Sequence, residues 1–384
     1  MKNMLIIVLL INYCAPLSKE GVRSRIKTDF QDAVKDNSEI IKGGSLLVHS
    51  GKWDIHWKYA AGFTEKDGVK KNTVEDQPFH TASIGKTFTA AVIFQLIQEK
   101  KISLSDKIEK FFPKDYLKGL FNYDRTDWSP EVTVQHLLNH TSGIADYFGE
   151  YKDTPTLMKS FIDEPDRFWT PKELVEFTRS NQKALSRPGE LFHYTDTGYI
   201  LLGMIVEKVT SKTFEKNLEE RFFIPLQMKN TYMHLRSKPL SRSNLDLSNI
   251  IFSKKDVTYF KSVSLDWAGG GLITTAEDLL IFHKALREGK ILSEKTVSEL
   301  SGNFEFHKGI YYGNGYMRVK FGDMLFLMAG TPELYGHSGI LSTHMFYSPK
   351  YDTHIIMNLG SSDAIDKSFE LLFRIMLALR NLDQ

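Results

Sequence analysis

The stretch Ile84 to Leu96 constrains the fold more than any other part of the chain. Ile84, Phe88, Val92 and Leu96 recur every four residues, with Ala90, Ala91 and Ile93 between them. The spacing predicts a helix that is apolar nearly all round until Gln98-Glu99-Lys100. Such a helix is buried in the protein centre, so its first turn forms the floor of a cleft rather than an open surface. That turn carries Ser83-Ile84-Gly85-Lys86. A hydroxyl and an amine three residues apart share a helix face, about 5–6 Å apart at Cβ. A serine is a poor nucleophile until a neighbour takes its proton, which a deprotonated lysine can do. The tetrapeptide is common by itself and gains meaning only from partners elsewhere.

With 384 residues, 42% of them hydrophobic, the chain can fill a large core in one or two domains. Its 49 basic and 47 acidic residues nearly balance, and no basic block stands out, which argues against a nucleic-acid partner. Lys2, the apolar run Met4 to Ile11 and the small residue Ala15 have the layout of a secretory signal. The run falls short of the roughly 20 apolar residues that span a bilayer. Residues 1–18 are therefore expected to be a signal peptide, with 19–384 as one exported, periplasmic or secreted, catalytic domain. Cys14 is the only cysteine. Lipidation there would attach the protein to a membrane surface, but bulky Tyr13 argues against it.

Ser18 to Lys42 reads as a helical lead-in. Gly44 to Ala60 reads as a hairpin, because Leu46 and Val48 alternate in one arm, and Trp53, Ile55, Trp57 and Tyr59 in the other. The turn between them is Ser50-Gly51-Lys52. Helices are expected at 133–138, 171–181 and 197–210. Gly269-Gly270-Gly271 reads as a flexible turn, and Thr274 with Glu277 has capping-box spacing. Tyr335 to Tyr347 and Thr353 to Leu359 read as two strands, followed by a helix from about Asp363 to Leu382. Strands at both ends with helices between predict an α/β (α+β) fold. Its antiparallel sheet is built from both chain termini and flanked by helices, with a mainly helical region inserted at about 100–265.

Two further segments can complete a site. Tyr194 and Asp196 precede a helix starting near Tyr199, so both are expected on a loop. A phenol beside a cation can move a proton, and a carboxylate can hold a lysine ammonium. A packed aromatic with a bonded hydroxyl is the other reading of Tyr194. In Tyr335-Gly336-His337-Ser338-Gly339-Ile340, the glycines allow close backbone approach to a ligand. His337 is a candidate proton donor or carboxylate binder there. His136 and His140 have i, i+4 spacing, but Leu137 stands where His-Glu-x-x-His needs Glu, and no metal is expected.

Taken in order, Ser83-x-x-Lys86, Tyr194-x-Asp196 and His337-x-Gly339 resemble the motif set of the serine penicillin-recognising enzymes. These are the class C β-lactamases, D-alanyl-D-alanine carboxypeptidases, D-aminopeptidases and β-lactamase-like esterases. The resemblance runs from about Ser45 to Leu379 and includes Leu137 to Ile144, Pro225 to Met228 and Ala268 to Leu279. It implies a β-lactamase/transpeptidase-like fold and acyl transfer through a covalent serine ester, with neither cofactor nor metal. Ser83 would be the nucleophile, and Lys86 with Tyr194 would move its proton while Asp196 positions Lys86. The Ser83 and Ile340 N–H groups would form the oxyanion hole. His337, Ser338 and Gly339 would face the substrate, a small molecule or peptide.

The sequence departs from the family pattern twice. Asp196 replaces the usual Asn, and a carboxylate there favours the protonated form of Lys86. His337-Ser338-Gly339 replaces Lys-Thr-Gly, removing a cation that helps hold a β-lactam carboxylate. A D-Ala peptide carboxypeptidase-like or esterase activity is therefore expected ahead of β-lactamase. A barely catalytic sensor or scaffold binding penicillin or cell-wall peptide is the competing class. Pocket shape would come from the loops 146–169 and 230–266.

Overall fold

The computed structural model describes residues 17–149, 155–241 and 243–383. Apart from Leu17 and Ser18, the expected signal segment and Cys14 lie outside these residues. Helix α1 (Lys19–Lys35) starts where the Ser18 hydroxyl accepts from Gly21 N–H. Strands β1 (Gly43–Ser50), β2 (Ile55–Lys66) and β3 (Val69–Asn72) follow, then the short β4 (Phe79–His80). Helices α2 (Gly85–Gln98), α3 (Pro171–Asn181) and α4 (Asp196–Thr210) belong to the middle of the chain. Strand β5 (Leu272–Thr274) leads into α5 (Ala276–Arg287). Six strands come next: β6 (Phe304–His307), β7 (Ile310–Tyr312), β8 (Met317–Val319), β9 (Leu334–Gly339), β10 (Thr343–Ser348) and β11 (Thr353–Asn358). Helix α6 (Ile365–Leu379) follows them.

Nine strands form one antiparallel sheet in the order β6-β7-β8-β9-β10-β11-β1-β2-β3. The expected joining of the two chain ends occurs where β1 pairs with β11, Leu47 opposite Ile356. Alternation in β1 splits the core. Leu46 and Val48 pack with α1 and α6, while Leu47 packs on the other side with α2. In α1, Val22, Ile26, Phe30 and Val34 make one apolar stripe at spacing four and are all buried. Helix α2 is buried from Gly85 to Phe94, as its all-round apolar sequence requires.

The structure corrects several local expectations. The stretch 335–347 is not one strand. It breaks at Ile340 to Ser342, where Ser342 adopts φ +55°, giving β9 and β10 as a hairpin with Gly339 opposite Thr343. Thr275, not Thr274, caps α5, because Thr274 belongs to β5 and its hydroxyl bonds Thr231. Glu277 instead meets His56 and Lys58 of β2. The glycine run is buried and tied down rather than flexible. Ala268, Gly269 and Gly270 carbonyls accept from Thr89, Lys86 and Thr81, at 2.6, 2.9 and 2.7 Å.

Candidate active site

Strand β4 aims the site. His80 pairs with Ile273 of β5, and Thr81 N–H donates to Leu272 O. The chain then turns sharply through Ala82, at φ +47°, into a 3-10 turn, Ala82–Ile84, that carries Ser83 to the start of α2. Gly85 is required at this junction, since a Cβ there would lie 2.6 Å from Gly270 Cα. Strand β9 closes the other side. A Cβ on Gly339 would meet Thr81 O at 2.7 Å and the Ala82 methyl at 2.8 Å. The glycine is thus needed for approach to the protein's own backbone, and so is Gly336, packed on Met345 O.

Lys86 is completely buried in the first turn of α2. Its Nζ lies 3.2 Å from Ser83 Oγ and 2.9 Å from Gly269 O, and it forms an ion pair with Asp196. Burial alone would push the ammonium pKa down. The Asp196 charge, helped by Tyr194 and Asp266, reverses this and holds it above its ordinary value. Asp196 is therefore the first residue of α4, not a loop residue, and its own N–H donates to Asp146 Oδ1 at 3.1 Å.

Tyr194 stands just before the Thr195 cap of α4, with its ring centroid 4.9 Å from Lys86 Nζ and 4.3 Å from the His140 ring. Both readings of this residue meet here: the ring packs, and the buried hydroxyl is turned to Ser83 and Lys86, which both favour its ionised form. Burial raises the phenol to about 12, and the Lys86 charge opposes the rise.

Ser83, Tyr194, Asp196, Ser338, Gly339 and Ile340 all line one cavity of about 330 Å³. His337 does not line it, which corrects its expected contact with substrate. Its ring is fully buried, with Nδ1–H donating to Ser338 O at 2.7 Å and Nε2 at 3.3 Å from the Tyr312 hydroxyl. Burial drops it to about 3, so it is neutral and supports Tyr312, whose ring meets Tyr194 edge-on. His136 and His140 are also spent on backbone. His136 closes a capping box with Thr133, while His140 lies past the helix end at φ +59° and accepts from Thr195 N–H.

Sequence reasoning missed two carboxylates in the cavity wall, Asp146 and Asp266. Burial and the charge of Asp196 raise both to about 7, although Phe148 and Gly149 N–H groups partly stabilise ionised Asp146 and Lys86 favours ionised Asp266. They sit at the boundaries of the two loops expected to shape the pocket, but no local motif marks them. Those loops do line the cavity, contributing Phe148 and Phe161 from one and Ile250, Phe252, Val263 and Leu265 from the other.

The chain is similar to known proteins in sequence and fold. Penicillin-binding protein 4* of Bacillus subtilis (strain 168) is 24% identical over 88% of this chain and 69% of its own length. D-amino acid amidase from Ochrobactrum anthropi SV3 superposes with a TM-score of 0.76 at 23% identity, covering 94% of this chain and 100% of the other. A D-stereospecific amidohydrolase from Streptomyces sp. gives 0.69 at 25% identity, over 91% and 97%. A sequence model of the Beta-lactamase family matches residues 30–374, and the chain belongs to that family as a serine hydrolase of its fold.

Proposed function

We propose that the protein is an amidase or esterase that acts through an acyl-enzyme on Ser83 and favours substrates with a bulky apolar group and no carboxylate near the scissile bond. The observation that carries this is the make-up of the cavity. Phe148, Phe161, Phe252, Phe306 and Phe369 line it, three carboxylates face it, and no lysine or arginine is among its described lining residues. A β-lactam or a C-terminal D-Ala carboxylate would bring a negative charge to a wall without lysine or arginine, and the nearby Lys86 ammonium is already paired with Asp196. The reading therefore moves away from carboxypeptidase and β-lactamase. Its likeness to an amidase and an amidohydrolase agrees with that direction.

In the reaction, Ser83 Oγ bonds to the carbonyl carbon. Its proton passes to Lys86 as Lys86 gives one to Asp196, with which it is already paired. The Ser83 and Ile340 N–H groups hold the oxyanion, each such donor being worth roughly 10²–10³ in rate. Collapse breaks the carbonyl C–N or C–O bond, and the leaving group takes a proton back from Lys86 or Tyr194. Water repeats the sequence to free the acid. A second reading, a sensor that acylates without turnover, is favoured by the protonated resting state of Lys86.

A panel of D-phenylalanine amide, p-nitrophenyl esters of rising acyl size, D-Ala-D-Ala peptides and cephalosporins, with intact mass after mixing, tests these readings. The hydrolase reading expects turnover of the large apolar amide or ester, a transient adduct, and loss of both in Ser83→Ala. A preference for the carboxylate-bearing compounds would overturn the substrate assignment, and a lasting adduct without turnover would support the sensor. We also propose export, on the strength of Lys2 and the apolar run Met4 to Ile11. A mature protein that keeps Met1 would refute it.

A further inference from the structure

His80 is buried, being 3% exposed, at the wall of the Ser83 cavity, and takes no part in the reaction as described. Its Nδ1 lies 3.1 Å from Ala82 N and accepts that N–H. Ala82 itself is 2% exposed at the cavity wall, and its N–H is committed to the imidazole. The same residue holds a left-handed φ of +47°, which a Cβ makes unfavourable. Ser83 is the next residue.

Around this point the turn is fixed from three sides. Thr81 N–H donates to Leu272 O, Thr81 Oγ1 to Gly270 O at 2.7 Å, and Thr343 Oγ1 to Thr81 O at 2.9 Å. All three act on Thr81. Gly85 N–H ties down the Ala82 and Ser83 carbonyls and Lys86 Nζ reaches Ser83 Oγ, while the bond to His80 is the one that holds the Ala82 N–H.

We propose that His80 is a positioning residue for the catalytic serine: its Nδ1 clamps the left-handed Ala82 turn from which Ser83 projects into the cavity. The inference rests on Ser83 being the nucleophile. It fixes the tautomer, since Nδ1 must be bare to accept and the proton must sit on Nε2, an atom with no hydrogen-bond partner among the described residues. A metal on Nε2 would need the proton on Nδ1, where Ala82 N–H already points, so this histidine is not built as a ligand. Burial, with the nearby His234, drops it to about 3, which keeps the bare nitrogen available across the working range.

Stored strain next to a reacting group persists only when the surroundings over-determine it. Releasing the clamp should let the turn relax and shift Ser83 relative to the oxyanion donors. A displacement of about 1 Å costs roughly 10²-fold in rate.

The test uses the full-length enzyme and a p-nitrophenyl ester, with the acylation rate by a fluorophosphonate probe as second readout. His80→Ala should lower kcat and probe acylation by about 10²-fold while KM stays nearly constant. His80→Asn places an amide oxygen near the former Nδ1 and should restore most of the loss. Ala82→Gly in the His80→Ala background should also restore activity, because glycine takes φ +47° without strain. Full activity in His80→Ala would overturn the proposal. Should that variant not fold, equal damage in His80→Asn would do so. Rescue by asparagine without rescue by Ala82→Gly would restrict His80 to satisfying a buried donor and refute the strain argument. Activity surviving in Ser83→Ala would instead defeat the nucleophile assignment itself, whatever His80 does.

Discussion

Lys86 Nζ lies 3.2 Å from Ser83 Oγ and is bonded on its other side to the Asp196 carboxylate. The amine nearest the nucleophile is thereby held as an ammonium, and its proton has an acceptor already in contact. Asp196 stands where the family pattern has asparagine, so one substitution separates positioning from proton relay.

In Asp196→Asn the amide keeps a hydrogen bond to Lys86 but removes the charge that raises its pKa. Burial then acts with less opposition and the lysine pKa falls. The parent needs no free lysine because Asp196 accepts the proton, whereas the variant does, so its kcat/KM profile should gain an acid limb set by the lowered lysine pKa. A profile unchanged from the parent's would mean that Lys86 does not take the serine proton.

Asp266 predicts a pH-dependent stability. Burial raises its folded pKa from the ordinary carboxylate value to about 7, so stability is lost as pH rises through that window and stays low above it. Asp266→Asn removes the penalty. The variant should melt a few degrees higher than the parent at alkaline pH, with the difference shrinking towards pH 4. A constant difference across pH would contradict the buried-charge explanation.

Six enclosed histidines act in the opposite direction. His80, His283, His337 and His344 are lowered to about 3, and His140 and His354 well below 6.5, all chiefly by burial. Between pH 6.5 and about 3 the unfolded chain binds protons at these positions that the folded chain does not. Each removes up to about 1.4 kcal/mol per pH unit. Asp146 and Asp266 offset this in part. Urea midpoints should therefore fall steeply below about pH 6 with net proton uptake on unfolding; flat midpoints down to pH 4 would show that the histidines are not neutral in the fold.

Gly339→Ala tests the approach of β9 to the turn under Ser83. The new Cβ would sit 2.3 Å from Thr343 Oγ1 and 2.7 Å from Thr81 O. Overpacking of this kind costs about 1–3 kcal/mol. We expect a lower melting point together with a fall in kcat larger than any change in KM. A stability loss with unchanged kcat would place the contact outside the catalytic geometry.

What could be read locally was read from short-range pattern. The buried helix came from apolar residues on every face of Ile84 to Leu96, and the candidate nucleophile from two side chains one helical turn apart. The alternation of Leu46 and Val48 is visible as a strand, because a period of two is a property of the backbone. Thr274 and Glu277 show the limit of such reading. Their spacing satisfied a capping rule, but β5 claimed Thr274 and β2 claimed Glu277, so Thr275 became the cap.

By itself, then, the sequence determined the ordered set Ser83, Lys86, Tyr194 and the sheet closed by both ends of the chain. Tertiary structure alone decided the charge balance of the site and the reach of His337. Asp146 and Asp266 come to one cavity from distant loops, and their raised pKa values come from burial that no local pattern encodes. His337 was a residue facing substrate until the fold turned its ring onto Tyr312. Desolvation and long-range Coulomb interaction depend on what surrounds a group in space, and neighbours in space are set by the fold rather than by neighbours in the chain.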